Sequence, residues 1–137
     1  MITVRAIDHV VFRVRDLDAM LRFYTEVIGA EKEVYKEAIG LYQLRVGDAL
    51  IDLVTVDGEL GAKGGPAPGR EGHNVDHVCL RALPWNEDAI RKHLGAHGID
   101  NVEIVSRYGA QGEGPSIYIE DPGGNTIELK GPPHERK

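Results

Sequence analysis

Two histidines, His9 and His77, and two acids, Asp52 and Glu128, are placed by the same rule twice along this chain. Each histidine sits in a nearly identical stretch, IDHVVFR and VDHVCLR, 68 positions apart. Each acid lies inside an apolar tripeptide, IDL at 51–53 and IEL at 127–129. Neutral imidazoles with one or two carboxylates suit a divalent first-row metal, and donors on rigid strands leave coordination positions open for water or substrate. An open position is what metal catalysis requires. A single histidine on a strand is more often structural than a ligand. Recurrence at matched positions in both halves lifts these four above that background, although a duplication that had lost its metal would leave the same trace.

Other side chains gather around the four. Each acid stands ten residues after a tyrosine, Tyr42 or Tyr118. On the second-half hairpin Ile117, Ile119, Ile127 and Leu129 form an apolar face, so Tyr118 and Glu128 share the opposite one; Asp52 likewise alternates with Ile51 and Leu53. Arg13 and Arg81 each follow a histidine by four residues on the same strand face, a placement that suits a bidentate grip on a substrate carboxylate. Pairing with a cross-strand acid is the competing role for both. Tyr42 is taken as a further substrate contact. Cys79 reads as a small buried residue, His93 and His97 as surface histidines without an HEXXH motif, and His73 as a further acid/base candidate.

The elements that must position these groups also occur twice. AIDHVVFRV alternates as a strand, with Val10, Phe12 and Val14 on one face and His9, Val11 and Arg13 on the other. Asp16 or Asp18 can cap a helix carrying Leu17, Met20, Leu21, Tyr24, Val27 and Ile28, with Gly29 as its stop. Strands are predicted around 33–35, 42–46 and 50–56. The second half repeats the order: a strand in NVDHVCLRA, a helix capped by Asn86 and stopped by Gly98, then strands near 102–105, 116–120 and 126–130. The expected organisation is a first βαβββ module over about 1–56, a linker over 57–74, a second module over about 75–131 and a tail over 132–137. The linker holds six glycines and two prolines, and fully extended it would reach roughly 60 Å. SRYGAQGEG, at 106–114, reads as a lid or a mobile connection.

Composition removes several classes of function. With 137 residues, 42% of them hydrophobic, the chain suffices for one domain or for two small halves sharing a core. A net charge of −6, without a Lys/Arg run, gives no footprint for nucleic acid. No apolar run reaches membrane-spanning length, and Arg5 and Asp8 interrupt any secretory signal. One cysteine forms no internal disulfide. A cytoplasmic protein with no membrane partner is expected.

The stretch DHVVFRVRDLDAMLRFYTEVIGA, the second DHV at His77 and the closing SIYIEDPGGNTIEL together resemble the vicinal oxygen chelate superfamily, which includes glyoxalase I, extradiol dioxygenases and bleomycin resistance proteins. The resemblance covers nearly the whole chain. It implies an α+β fold in which two βαβββ modules pair into an eight-stranded cupped mixed sheet around a metal, and a homodimer, which would also cover open sheet edges. It implies metal ligands at His9, Asp52, His77 and Glu128; Asp52 departs from the longer glutamate usual in the glyoxalase I branch. The leading activity is a lyase or isomerase that uses Ni, Zn, Co or Mn, acts on a small substrate with vicinal oxygens through a metal-stabilised enediolate, and takes Glu128 as base with Asp52 second. One alternative is a ring-cleaving dioxygenase in which His9, His77 and Glu128 hold Fe(II) and Tyr118 assists. The other is a non-catalytic drug-binding protein, against which retention of all four polar residues argues.

Overall fold

A computed structural model of the chain describes residues 1–134 and divides into two compact units, the first running from Met1 to Asn74 and the second beginning at Val75. The last three positions of the expected tail, 135–137, lie outside the described residues.

In the first unit β1 (His9–Val14) leads into α1 (Leu17–Arg22), which widens into a π turn over Phe23–Val27. β2 (Glu31–Lys36), β3 (Leu41–Val46) and β4 (Ala49–Thr55) follow. Of the two possible caps, Asp16 is the one used: its Oδ1 accepts from the Ala19 amide at 3.1 Å. The strands lie in the order β1-β4-β3-β2, with β1 and β4 parallel and the other pairs antiparallel. Phe12, Val14, Met20, Tyr24, Leu44 and Leu53 are buried, each stabilising the unit by about 1.5–3 kcal/mol on transfer from water. His9 and Val11, on the other face of β1, stay exposed, so that face is left for chemistry.

The second unit repeats the construction with β5 (Val78–Arg81), α2 (Glu87–Ala96), β6 (Val105–Gly109), β7 (Gly112–Glu120) and β8 (Thr126–Lys130), ordered β5-β8-β7-β6. Asn86 caps α2, accepting from the Ala89 amide at 3.0 Å, and Gly98 leaves the helix at φ +79°. Leu94, Ile117, Ile119 and Ile127 form the core. The fold is α+β, two βαβββ modules whose eight strands are hydrogen-bonded as two mixed sheets of four. No helix among the described residues is long and apolar enough to cross a membrane.

Two segments differ from expectation. SRYGAQGEG is an ordered hairpin rather than a lid: Val105 pairs with Ser116, Arg107 with Gly114 and Gly109 with Gly112. Its polar, glycine-rich composition hides the ladder, because backbone groups make the bonds. The sixth strand accordingly starts at Val105, where the expected one ended. Nor is 57–74 a loose tether. The Arg13 guanidinium donates to the carbonyls of Gly61, Gly64, Gly65 and Pro66 at 2.7–3.1 Å. Gly61 packs so closely that a Cβ there would lie 1.9 Å from the Thr55 carbonyl oxygen.

Candidate metal and substrate site

In the first unit the parallel pairing sets Val11 opposite Asp52 and the antiparallel pairing sets Gln43 opposite it, so the three share one face. His9 is two residues before Val11 and joins them. Its Nδ1 lies 2.7 Å from Asp8 Oδ2, an arrangement that fixes the ring and leaves Nε2 free to face Asp52 Oδ2 at 4.0 Å. The hydrogen bond to Asp8, helped by the charge of Asp52, raises the His9 pKa above its ordinary value. Asp52 is only 3% exposed; Gln43 Nε2 donates to its Oδ2 at 3.3 Å, and its Oδ1 is buried without a partner. A buried carboxylate oxygen left unsatisfied is costly, and a cation is the natural compensation.

The second unit builds the tighter version. Cys79 and Tyr118 are the register partners of Glu128 on the two flanking strands. His77 Nδ1 lies 2.6 Å from Asp76 Oδ2, and Nε2 lies 3.2 Å from Glu128 Oε1. With Nδ1 donating to Asp76, a neutral His77 ring turns a lone pair toward a carboxylate oxygen. Two acceptors that close need a cation between them, either a ring proton or a metal. Ser116 Oγ donates to Glu128 Oε2 at 2.6 Å. Burial raises the Glu128 pKa, but hydrogen bonds from Ser116, Tyr118 and Cys79 and the His77 charge outweigh it, and the net shift is downward. Tyr118 stands edge-on to His77 at 5.8 Å, and burial together with its bond to Glu128 keeps the phenol protonated to higher pH.

The remaining expected residues divide. Arg81 lines a cavity of about 420 Å³ in the second unit together with His77, Cys79, Tyr108, Glu128 and Lys130. Arg13 does not face a substrate with its guanidinium, which is spent on the backbone of 61–66. Tyr42 is also misplaced: it pairs with Leu53, one residue out of step with Asp52, and packs against Tyr35 at 5.1 Å. The two-residue turn at 47–48 and the five-residue turn at 121–125 differ by an odd number, so the ten-residue spacing lands on opposite faces in the two halves. Gln43 is the true counterpart of Tyr118. Cys79 is exposed rather than buried, with its thiol against Glu128. His93 on α2 and His97 just past its end stand 4.9 Å apart between ring centres, and His73 is exposed.

Sequence reasoning missed Asp8, Asp76, Gln43 and Ser116. The first pair had a signal, the repeated Asp-His dipeptide at the entry to both strands. Gln43 and Ser116 had none, because their roles come from strand register. Among the described residues no group of three or more His, Cys, Asp or Glu side chains is arranged to hold one ion; the donors come as one pair in each unit.

A family model described as the Glyoxalase/Bleomycin resistance protein/Dioxygenase superfamily matches residues 6–129. The chain is 38% identical over 125 residues to Virulence protein STM3117 of Salmonella typhimurium, covering 90% of this chain and 81% of that protein. The crystal structure of STM3117 superposes with a TM-score of 0.76 at 28% identity, covering 96% of this chain and 99% of the other. Glyoxalase domain-containing protein RDO1 of Mycosarcoma maydis is 35% identical over 130 residues, 93% of this chain and 69% of that protein. Lactoylglutathione lyase from Agrobacterium tumefaciens superposes with a TM-score of 0.65 at 25% identity, over 94% of this chain and 95% of the lyase. With nearly its whole length matched in sequence and fold, the chain belongs to the Glyoxalase/Bleomycin resistance protein/Dioxygenase superfamily.

Proposed function

We propose that the protein is a divalent-metal-dependent lyase or isomerase of the glyoxalase kind, acting on a small substrate with vicinal oxygens. His9, Asp52, His77 and Glu128 would hold the metal, and a homodimer is its working form. The single observation that supports this most is the repeated module device: a histidine oriented by its preceding aspartate, its free nitrogen turned to a buried carboxylate. The partnerless Oδ1 of Asp52 adds to it. A bound divalent ion would supply Lewis acidity toward adjacent substrate oxygens. Glu128, held ionised at neutral pH, takes the proton from the carbon that bears one of those oxygens and returns it to the adjacent carbon that bears the other. Ser116 fixes the carboxylate for that transfer.

The distances rank the ligands. Two atoms bound to one ion at about 2.0–2.2 Å each lie no more than about 4.4 Å apart. The 3.2 Å of His77 and Glu128 meets that comfortably, while the 4.0 Å of His9 and Asp52 is near its limit. Calorimetric titration of metal-stripped protein with Ni²⁺, Co²⁺ and Zn²⁺ tests the reading. His9→Ala, His77→Ala and Glu128→Ala should each lose at least tenfold in affinity, and Asp52→Ala should lose clearly but less than Glu128→Ala. Wild-type affinity in either histidine variant rules out a shared site.

Tyr118 supports a second reading. Its register position beside Glu128 and its contact with His77 give a ring-cleaving dioxygenase an acid next to the metal ligands. Oxygen consumption on a catechol panel by iron-loaded protein, with unchanged metal affinity in Asp52→Ala, would promote that reading over the first.

A further inference from the structure

The sequence writes an arginine four residues after each histidine, and the structure gives the two different work. Arg13 lies opposite Val54 and spends its guanidinium on carbonyls. Arg81 lies opposite Lys130 on the parallel ladder, so the two cations share one face of the sheet and line the same cavity. Like charges directly across a ladder are destabilising unless something compensates them. Nothing described does: Lys130 Nζ donates to the neutral carbonyls of Arg107 and Gly114 and to the Ser116 hydroxyl, and Arg81 makes no hydrogen bond or ion pair with any described residue. Glu128 in the same cavity is already engaged by His77 and Ser116. Tyr108, 80% exposed, forms an aromatic wall beside the two cations.

We propose that Arg81, backed by Lys130, seats an anionic group of the substrate, a carboxylate or a phosphoryl-type group remote from the reacting oxygens. This deepens the function proposed above and rests on it for the reacting end. His77 and Arg81 are four residues apart along one strand direction, roughly 13 Å between Cα atoms. The anion therefore belongs at the far end of the ligand from His77 and Glu128. A cavity of about 420 Å³ accommodates a small molecule of that extent.

The test uses metal-stripped full-length protein at low ionic strength and pH 7, titrated separately with glutarate and with inorganic phosphate while backbone amide NMR shifts are followed. Saturable shifts at Arg81, Tyr108 and Gly109 are expected, with at least a tenfold weaker affinity in Arg81→Gln whose spectrum otherwise remains that of the folded protein. Binding of glutarate alone assigns a carboxylate; phosphate alone assigns a phosphoryl-type group; both assign the shared anion site. In the carboxylate case Arg81→Lys loses affinity too, because it lacks the planar two-donor fork. No saturable shift with either anion, or equal affinity in Arg81→Gln, overturns the proposal. Since no metal is present, failure of the metal titration above would sink the metal reading and leave this result standing.

Discussion

Cys79 shows how one neighbour sets a side chain's chemistry. Its strand position pairs it with Glu128, and partial desolvation of the thiol within an otherwise exposed residue, followed by the carboxylate's charge and hydrogen bond, pushes its pKa up to about 11. The thiolate is the reactive form, so exposure alone does not make this cysteine a nucleophile. At pH 7.5 iodoacetamide should alkylate Cys79 at least about a hundredfold more slowly than free cysteine. Glu128→Gln removes the charge but not the burial and should speed the reaction while leaving it below the free rate. Mass-spectrometric alkylation kinetics check both expectations; a Cys79 as fast as free thiol would show that Glu128 does not govern it.

At the scale of elements, the outer edge of β1 is managed by a side chain. Asn74 accepts from the Arg13 amide at 2.9 Å and donates to its carbonyl at 3.1 Å, so one amide group stands in for a neighbouring strand. With the guanidinium of Arg13 holding 61–66, a single residue anchors both the middle and the end of the segment between the sheets. Asn74→Ala leaves a part-buried amide and carbonyl of β1 without partners and should cost about 1–3 kcal/mol. Chemical denaturation measures that loss, and limited proteolysis should show faster cleavage within 61–74. Unchanged proteolysis would mean that the arginine alone fixes the segment.

For the molecule as a whole, Met1, Ile2, Val4 and Ile7 carry apolar side chains at 81–121% exposure on a segment without regular structure, ahead of an edge strand. Such a cluster is unfavourable in water and fits the proposed homodimer. Sedimentation at micromolar concentration should give about twice the 15.0 kDa chain mass, and Ile2→Asp with Val4→Asp should shift the population toward monomer. Only monomer in the unsubstituted protein would refute the dimer.

What the sequence determined by itself is the local, repeated order of elements. Alternation in IDHVVFR and VDHVCLR, a cap at Asp16 or Asp18 and another at Asn86, and the stops at Gly29 and Gly98 define the βαβββ order, because periodicity and capping act within a few residues. The duplicated His-to-acid layout likewise drew attention to His9, Asp52, His77 and Glu128. Tertiary structure decided what depends on register and on distant partners. An odd difference in length between two turns, two residues against five, sent Tyr42 to the face away from Asp52 while Tyr118 met Glu128. Two arginines alike in sequence came to different surroundings, Arg13 on the carbonyls of 61–66 and Arg81 on the cavity of the second unit. A glycine-rich stretch became a hairpin because its hydrogen bonds belong to the backbone, which composition does not encode.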